Sequence, residues 1–377
     1  MMRGAFGAPR DPTRNGRPAN DGDCSCTPAG AALLRTTLLI LASCLIALLA
    51  AWVAAALWFQ APGGALARGV LMGLWAASSV ALVVVLWRGH AAASLAAFAL
   101  AFCAVLLWWH TLRPSNERPW ADDVARTGTG EVQGSTVILT GVRNFDWRTV
   151  DDYTPRWETR RYDLDKIESL DMITSYWSGP AIAHVLISFG FSDGQQLAFS
   201  VEIRRERGEK FNEIGGFFKE FELSIIAADE RDIIRLRTNV RGEDDYLYRI
   251  RLPRQDIRAL FLAYIRQMNE LAHTPRFYNT ITVNCTTLVY HMVEHIVGRL
   301  PFSYGLVLSG YLPRYVYSIG GLDTRYTLEE LRTLGHITAR ARQADRSANF
   351  SQQIRRGIPP PEVAAPMAPR SRRCLGP

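Results

Sequence analysis

The chain has 377 residues, 48% of them hydrophobic, and a formal net charge of +7, which leaves room for one large domain or two small ones. Its arginines gather at both ends, Arg3 to Arg17 and Arg370 to Arg373, while the remainder mixes both signs. There is no basic stripe interleaved with aromatics, so nucleic acid is excluded as a partner.

Between Ala31 and Trp109 only Arg35, Arg68 and Arg88 interrupt an uncharged stretch. Thr36 to Phe59, Val70 to Trp87 and Ala91 to Trp109 are each apolar runs of about 18 residues or more, long enough to cross a bilayer as helices. Trp58, Trp87, Trp108 and Trp109 stand where an interfacial belt belongs. The first run starts too late and is too long for a cleaved signal peptide. Arg3, Arg10, Arg14, Arg17 and Arg35 outweigh the loop arginines, which places the N-terminus in the cytoplasm and everything after Leu112 outside. The expected organisation is a disordered cytoplasmic tail (1–30), three membrane spans (31–112), a linker (113–134), a periplasmic domain (135–335), and a C-terminal helix with a disordered tail (336–377).

In chain order, Thr136 to Thr140 reads as a short strand, and Asn144 to Trp157 as irregular. Ile182 to Phe191 reads as a strand, Asp193-Gly194 as a hairpin turn, and Gln196 to Arg204 as the return strand. Leu223 to Ala228, Ile233 to Arg237 and Tyr246 to Leu252 are further strand candidates. Pro253 opens a helix whose buried stripe is Ile257, Leu260, Phe261, Tyr264, Ile265, Met268 and Leu271. A second helix starts at Asn284, with Leu288, Val289, Met292 and Ile296 as its apolar face, and Leu328 to Leu334 reads as a third. Strands followed by helices indicate an α+β fold.

Of six cysteines, Cys24, Cys26 and Cys374 lie in the tails and Cys44 and Cys103 in the spans, which leaves Cys285 alone in the domain. No disulfide framework can be built from one thiol. Asn284-Cys285-Thr286-Thr287 sits where a strand gives way to a helix. The free N–H groups and partial positive charge of a helix start lower a thiol's pKa and can hold an oxyanion. The bland alternative is a buried structural cysteine capped by Asn284. A nucleophilic thiolate needs a base, and His184 lies on the first hairpin strand while Ser200 and Glu202 lie on the return strand. A two-residue turn at Asp193-Gly194 pairs His184 with Ile203 and turns Glu202 away. A three-residue loop over Asp193 to Gln195, or a bulge at Gly190, brings Glu202 to the face of His184.

The strings Trp177-x-Gly179-x-x-Ile182-Ala183-His184, Ser200-Val-Glu202-x-Arg204, Glu230-Arg-Asp232, Leu236-Arg237-Thr238 and Tyr278-Asn-Thr-x-Thr-x-Asn284-Cys285-Thr-Thr287, in this order, resemble the DUF4105 family, the Lnb N-terminal periplasmic domain-like proteins. The resemblance covers roughly Trp120 to Thr324. It implies a circularly permuted papain-like (NlpC/P60-like) fold with Cys285 as nucleophile, His184 as base and Glu202 as its orienter, supported by Asn284, Thr286 and Ser200. The chain departs from the pattern of Lnb itself, because its three membrane helices precede the domain.

The expected activity is thioester-mediated acyl transfer that requires no cofactor and no metal. Membrane lipids are the expected partners, and lipoproteins or peptidoglycan the candidate substrates. Two readings compete: a papain-like peptidase or amidase on cell-wall peptides, and a non-enzymatic envelope protein. His291-Met-Val-Glu294-His295 has the spacing of an inverted zinc-peptidase motif, but it lies off the apolar face of its helix and lacks a third ligand. Glu230, Arg231 and Asp232 read as an ion-paired turn that holds the sheet. Arg204, Arg205 and Arg207 read as a solvated strand end, with anionic headgroups as the alternative contact. Tyr278 and Asn279 are placed beneath the cysteine helix.

Overall fold

A computed structural model describes residues 28–210 and 212–360. The expectations for the arginine-rich tails, for Cys24, Cys26 and Cys374, and for disorder at either end lie outside the described residues. The chain divides into two compact units, one formed by residues up to 54 and 70–105, the other by 55–69 and 106 onwards.

The first unit is formed by the greater part of three helices, α1 (Pro28–Gln60), α2 (Ala65–Trp87) and α3 (Ala91–Thr111), whose residues 55–60, 65–69 and 106–111 fall in the second unit. All three are long and apolar enough to cross a membrane. Their large side chains point outward, as at Leu38, Leu45, Leu74, Val80 and Leu100. Such a surface suits lipid, where each backbone group must bond within its own helix. Polar groups link the helices instead: Trp75 Nε1 donates to the Ala50 carbonyl at 3.0 Å and Ser94 Oγ to the Leu82 carbonyl at 2.6 Å.

The second unit contains an eight-stranded mixed sheet. Its strands are β1 (Thr129–Gln133), β2 (Thr136–Arg143), β5 (Trp157–Asp163), β6 (Ile167–Tyr176), β7 (His184–Phe191), β8 (Gln196–Arg204), β9 (Glu222–Ala228) and β10 (Asp244–Arg249). The main path runs β1-β2-β9-β8-β7-β6-β10, and β5 pairs with β2. A two-stranded ribbon, β3 (Asp146–Trp147) with β4 (Tyr153–Thr154), stands apart. All pairings in the large sheet are antiparallel except the single β2–β9 bridge at Arg143 and Ala228.

Alternation along the strands sorts side chains to two faces. Val185, Ile187 and Phe189 on β7 and Leu197, Phe199 and Val201 on β8 join one core with α5 (Arg254–His273). All seven residues of the expected α5 stripe are buried there. Leu186, Ala198, Ile226 and Leu247 face the other way, onto a second core. That core contains α4 (Glu230–Arg235), α9 (Thr338–Ala344) and α10 (Phe350–Ile354). The remaining helices are α6 (Thr287–Val297), α7 (Leu312–Ser318) and α8 (Leu328–Gly335).

The structure corrects several expectations. Residues 113–134 are not merely a linker, because β1 pairs along β2. The packed region continues past 335, because Ile337, Ala341, Phe350 and Ile354 are buried against the sheet. Ile233 to Arg237 is helical and not a strand: Asp229 caps α4 through the Arg231 amide, and Glu230 and Asp232 occupy its first turn. Leu236–Arg241 continues as a π-helical turn closed by Gly242, at φ +74°. Glu230 and Asp232 thus belong to a helix. Asp232 accepts from both Arg143 Nε and Nη2, from the Phe145 amide and from Trp147 Nε1, while Glu230 binds Arg355 and Ser188.

Candidate active site

His184 is the first residue of β7. The segment before it is fixed from the side: Ser309 Oγ accepts from the Ala183 amide at 3.0 Å, and the Gly310 amide donates to the Ala181 carbonyl at 3.0 Å. Gly310 lies so close that a Cβ there would fall 2.1 Å from the Pro180 carbonyl oxygen.

The hairpin register decides what faces the ring. Phe191 and Gln195 close a three-residue loop, Ser192 to Gly194, with Gly194 at φ +85°. Neither expected register is therefore the observed one: Leu186 pairs with Ser200, not with Glu202. Continued by two residues, this ladder sets Glu202 opposite His184 on the same face, with no bulge between β7 and β8. The irregularity near Gly190 falls instead on the neighbouring strand, between Ile167 and Ser169.

His184 Nε2 meets Ser200 Oγ at 2.6 Å and Glu202 Oε1 at 3.2 Å, and the Ser200 hydroxyl donates to the same Glu202 oxygen at 2.6 Å. These partners engage Nε2 and leave Nδ1 for a proton exchange on the other side of the ring. Ser200 is buried and Glu202 half-buried.

Cys285 approaches from the segment before α6. Asn279 and Val283 bridge each other, and Asn279 Oδ1 accepts from the amides of Ile281 and Thr282, which folds this segment tightly. Asn284 then acts as the cap: its Oδ1 accepts from the amides of Thr286 and Thr287, both at 2.9 Å, and its Nδ2 donates to the Thr280 carbonyl. The helix itself starts at Thr287, so Cys285 stands in the turn just ahead of it. Thr286 is buried beside the thiol, with Oγ1 3.9 Å from Sγ. The expectation that the first helical amides hold an oxyanion is corrected, since Asn284 occupies those of Thr286 and Thr287. Among the described residues, the Cys285 amide has no acceptor.

The thiol and the imidazole lie close enough for each to shift the other's pKa. Burial alone raises a thiol's pKa, but His184, with help from the Val185 amide and Thr286, brings that of Cys285 below its ordinary value. Burial and Arg237 depress His184, yet Glu202 and Cys285 outweigh them and its pKa is pushed up to about 9. Burial opposes ionisation of Glu202, but His184 and Arg237 hold its carboxyl well below the usual range. The arrangement favours thiolate, imidazolium and carboxylate in a row.

The structure thus brings together Cys285, His184, Ser200, Glu202, Asn284 and Thr286. It adds Arg237, which no spacing argument reached: Nη2 donates to Glu202 Oε1 at 3.1 Å and Nη1 to Glu243 Oε2 at 3.0 Å. Its placement in a supposed strand hid it, although the Leu-Arg-Thr string was visible. Tyr278 lies close enough to Cys285 for the thiolate to raise its phenol pKa, after burial, which contributes most.

The other candidates lie elsewhere. His291 and His295 are exposed on α6; His291 Nδ1 faces Glu294 at 3.7 Å, and His295 Nδ1 meets the His291 carbonyl. Arg204 is not a solvated strand end. It is buried, donates to the carbonyls of Val124 and Ala125 and to Asn116, and lies over Trp120. Arg205 and Arg207 pair with Asp123 and Asp122.

No curated protein matches the chain, and no solved structure does. A family model matches residues 153–310, a narrower span than the motifs outline but one that includes His184, Ser200, Glu202, Arg237 and Cys285; that stretch is similar to the Lnb N-terminal periplasmic domain.

Proposed function

We propose that the protein is a membrane-tethered, periplasm-facing cysteine enzyme that moves acyl groups through a thioester on Cys285. The observation that carries this reading is the pairing of Cys285 with His184 while Glu202 and Ser200 hold the far side of the imidazole. A strand-borne histidine and a cysteine just ahead of a helix, in that chain order, are what a circularly permuted papain-like domain would supply.

In the first half-reaction the Cys285 thiolate attacks an ester or amide carbonyl, and a carbon–sulfur bond forms. The Cys285 amide is the donor available to the developing oxyanion. As the carbon–oxygen or carbon–nitrogen bond breaks, the His184 imidazolium gives its proton to the leaving group. In the second half-reaction an amine, hydroxyl or water attacks the thioester and yields its proton to His184, and the sulfur departs as thiolate. Glu202 stays ionised throughout and keeps the ring oriented. The membrane helices favour a substrate presented at a lipid surface, such as a lipid or lipoprotein acyl group.

The test is alkylation of the full-length protein in detergent by a thiol-directed acyl probe, with the labelled residue found by mass spectrometry. Cys285 should label far faster than Cys44 and Cys103, and His184→Ala should abolish that advantage. Equal labelling of Cys285 with and without His184 would leave only a tethered, non-catalytic scaffold.

A further inference from the structure

The row of polar side chains does not stop at Glu202. The cross-strand register runs Glu202, His184, Ser175, Asp245 over β8, β7, β6 and β10, all on one face. The π-helical turn that carries Arg237 and Arg241 lies over that face. Arg237 is buried and bridges Glu202 and Glu243, and Arg241 reaches Glu243 at 3.7 Å.

Proton counting fixes the far end of the row. Ser175 Oγ lies 2.5 Å from Glu243 Oε2 and 2.5 Å from Asp245 Oδ1. A hydroxyl has one hydrogen, so only one of these contacts can be its donation. The other needs a proton from a carboxylic acid. Glu243 faces two arginines and stays ionised. Asp245 is fully buried, no arginine contacts it, and its Oδ2 has no hydrogen-bond partner. Asp245 is therefore the neutral acid, and its proton goes to Ser175. With Asp245 neutral, the negative charges of Cys285, Glu202 and Glu243 balance the positive charges of His184, Arg237 and Arg241.

We propose that Arg237 is the positioning residue of this site: by bridging Glu202 and Glu243 it holds the Glu202 carboxylate behind His184 and sets the charge balance of the thiolate–imidazolium pair. The inference rests on the acyl-transfer reading, because it assigns a role relative to that pair. Arg237 touches neither sulfur nor substrate. It fixes the one Glu202 oxygen that also receives Ser200 and His184, and its charge favours the thiolate while opposing the imidazolium. The ionisable groups facing it are His184 from β7, Glu202 from β8, Asp245 from β10, Glu243 just before β10, and Arg241 on its own turn.

The experiment is the pH profile of Cys285 alkylation in the full-length protein. The rate should rise at low pH as the thiolate forms and change again at high pH as His184 loses its proton. Arg237→Gln leaves an uncompensated negative charge, so both limbs should move up by about one pH unit. Arg237→Lys keeps the charge and should restore much of the profile. Glu243→Gln removes a negative charge and should move both limbs down, which a merely structural role would not produce. If Arg237→Gln fails to fold by circular dichroism, Glu243→Gln alone decides. Folded variants with wild-type limbs and only a lower melting temperature would overturn the proposal. A wild-type profile with a single limb at the pKa of an ordinary thiol would sink the acyl-transfer reading itself, and this inference with it.

Discussion

The consequential residue is His184, because its two nitrogens face different tasks. One side is held by Ser200 and Glu202 and the other meets Cys285. Glu202→Gln removes the carboxylate that raises His184, so the high-pH limb of Cys285 alkylation should shift downward, and turnover of an acyl substrate should fall by roughly 10-fold to 100-fold. Cys285→Ser should abolish thioester formation outright, read as loss of an acyl adduct in the mass spectrum. Asp245 gives a separate prediction at equilibrium. Burial pushes its carboxyl up to about 7 from 3.8. A raised folded-state value means that its stabilising contribution is complete below the unfolded pKa and is lost as pH rises through about 7. Asp245→Asn, which cannot ionise, should flatten the decline in melting temperature between about pH 4 and pH 7.

At the scale of elements, α4 does the most to place the site, because the π-helical turn that delivers Arg237 continues directly from it. Its anchor is Asp232, which holds the Arg143 guanidinium, the Phe145 amide and the Trp147 indole in a fully buried position. Asp232→Ala leaves the Arg143 charge buried without its partner, a loss of about 3–5 kcal/mol, measurable by chemical denaturation of the purified protein. Arg237 should be displaced in the same variant, so Cys285 alkylation should slow in the fraction that remains folded. The opposite end of the site is tied by Gly310. Gly310→Ala places a methyl against the Pro180 carbonyl, so it should disturb the approach to His184 and lower alkylation more than stability.

At the scale of the whole molecule, three apolar helices precede a domain whose sheet is covered on both faces. The second face depends on the segment after residue 335, whose Arg355 binds Glu230 and Asp171 inside the core. A chain ending at Gly335 should therefore expose that face and bind a hydrophobic dye even if the membrane helices insert normally. For membrane placement, a reporter that is active only outside the cytoplasm should work when fused after Pro360 and fail when fused ahead of α1. The reverse pattern would invert the orientation drawn from the arginines.

The sequence by itself determined the elements whose signals are local. Apolar runs marked α1 to α3, a helical stripe marked α5 with all seven of its residues buried, and Asp193-Gly194 marked the β7–β8 hairpin. The cysteine and histidine were legible too, as the only thiol outside the tails and spans and as a histidine on a hairpin strand. Tertiary structure alone decided the rest. A one-residue difference in loop closure sets whether Glu202 meets His184 or faces away, because side chains alternate with every residue along a strand. Ile233 to Arg237 has the β-branched content of a strand, but the Asp229 cap and the buried bonds of Asp232 make it a helix, and so Arg237 became visible only in three dimensions. The polar row from Glu202 to Asp245 joins residues far apart in the chain, and such a row exists only once four strands are in register.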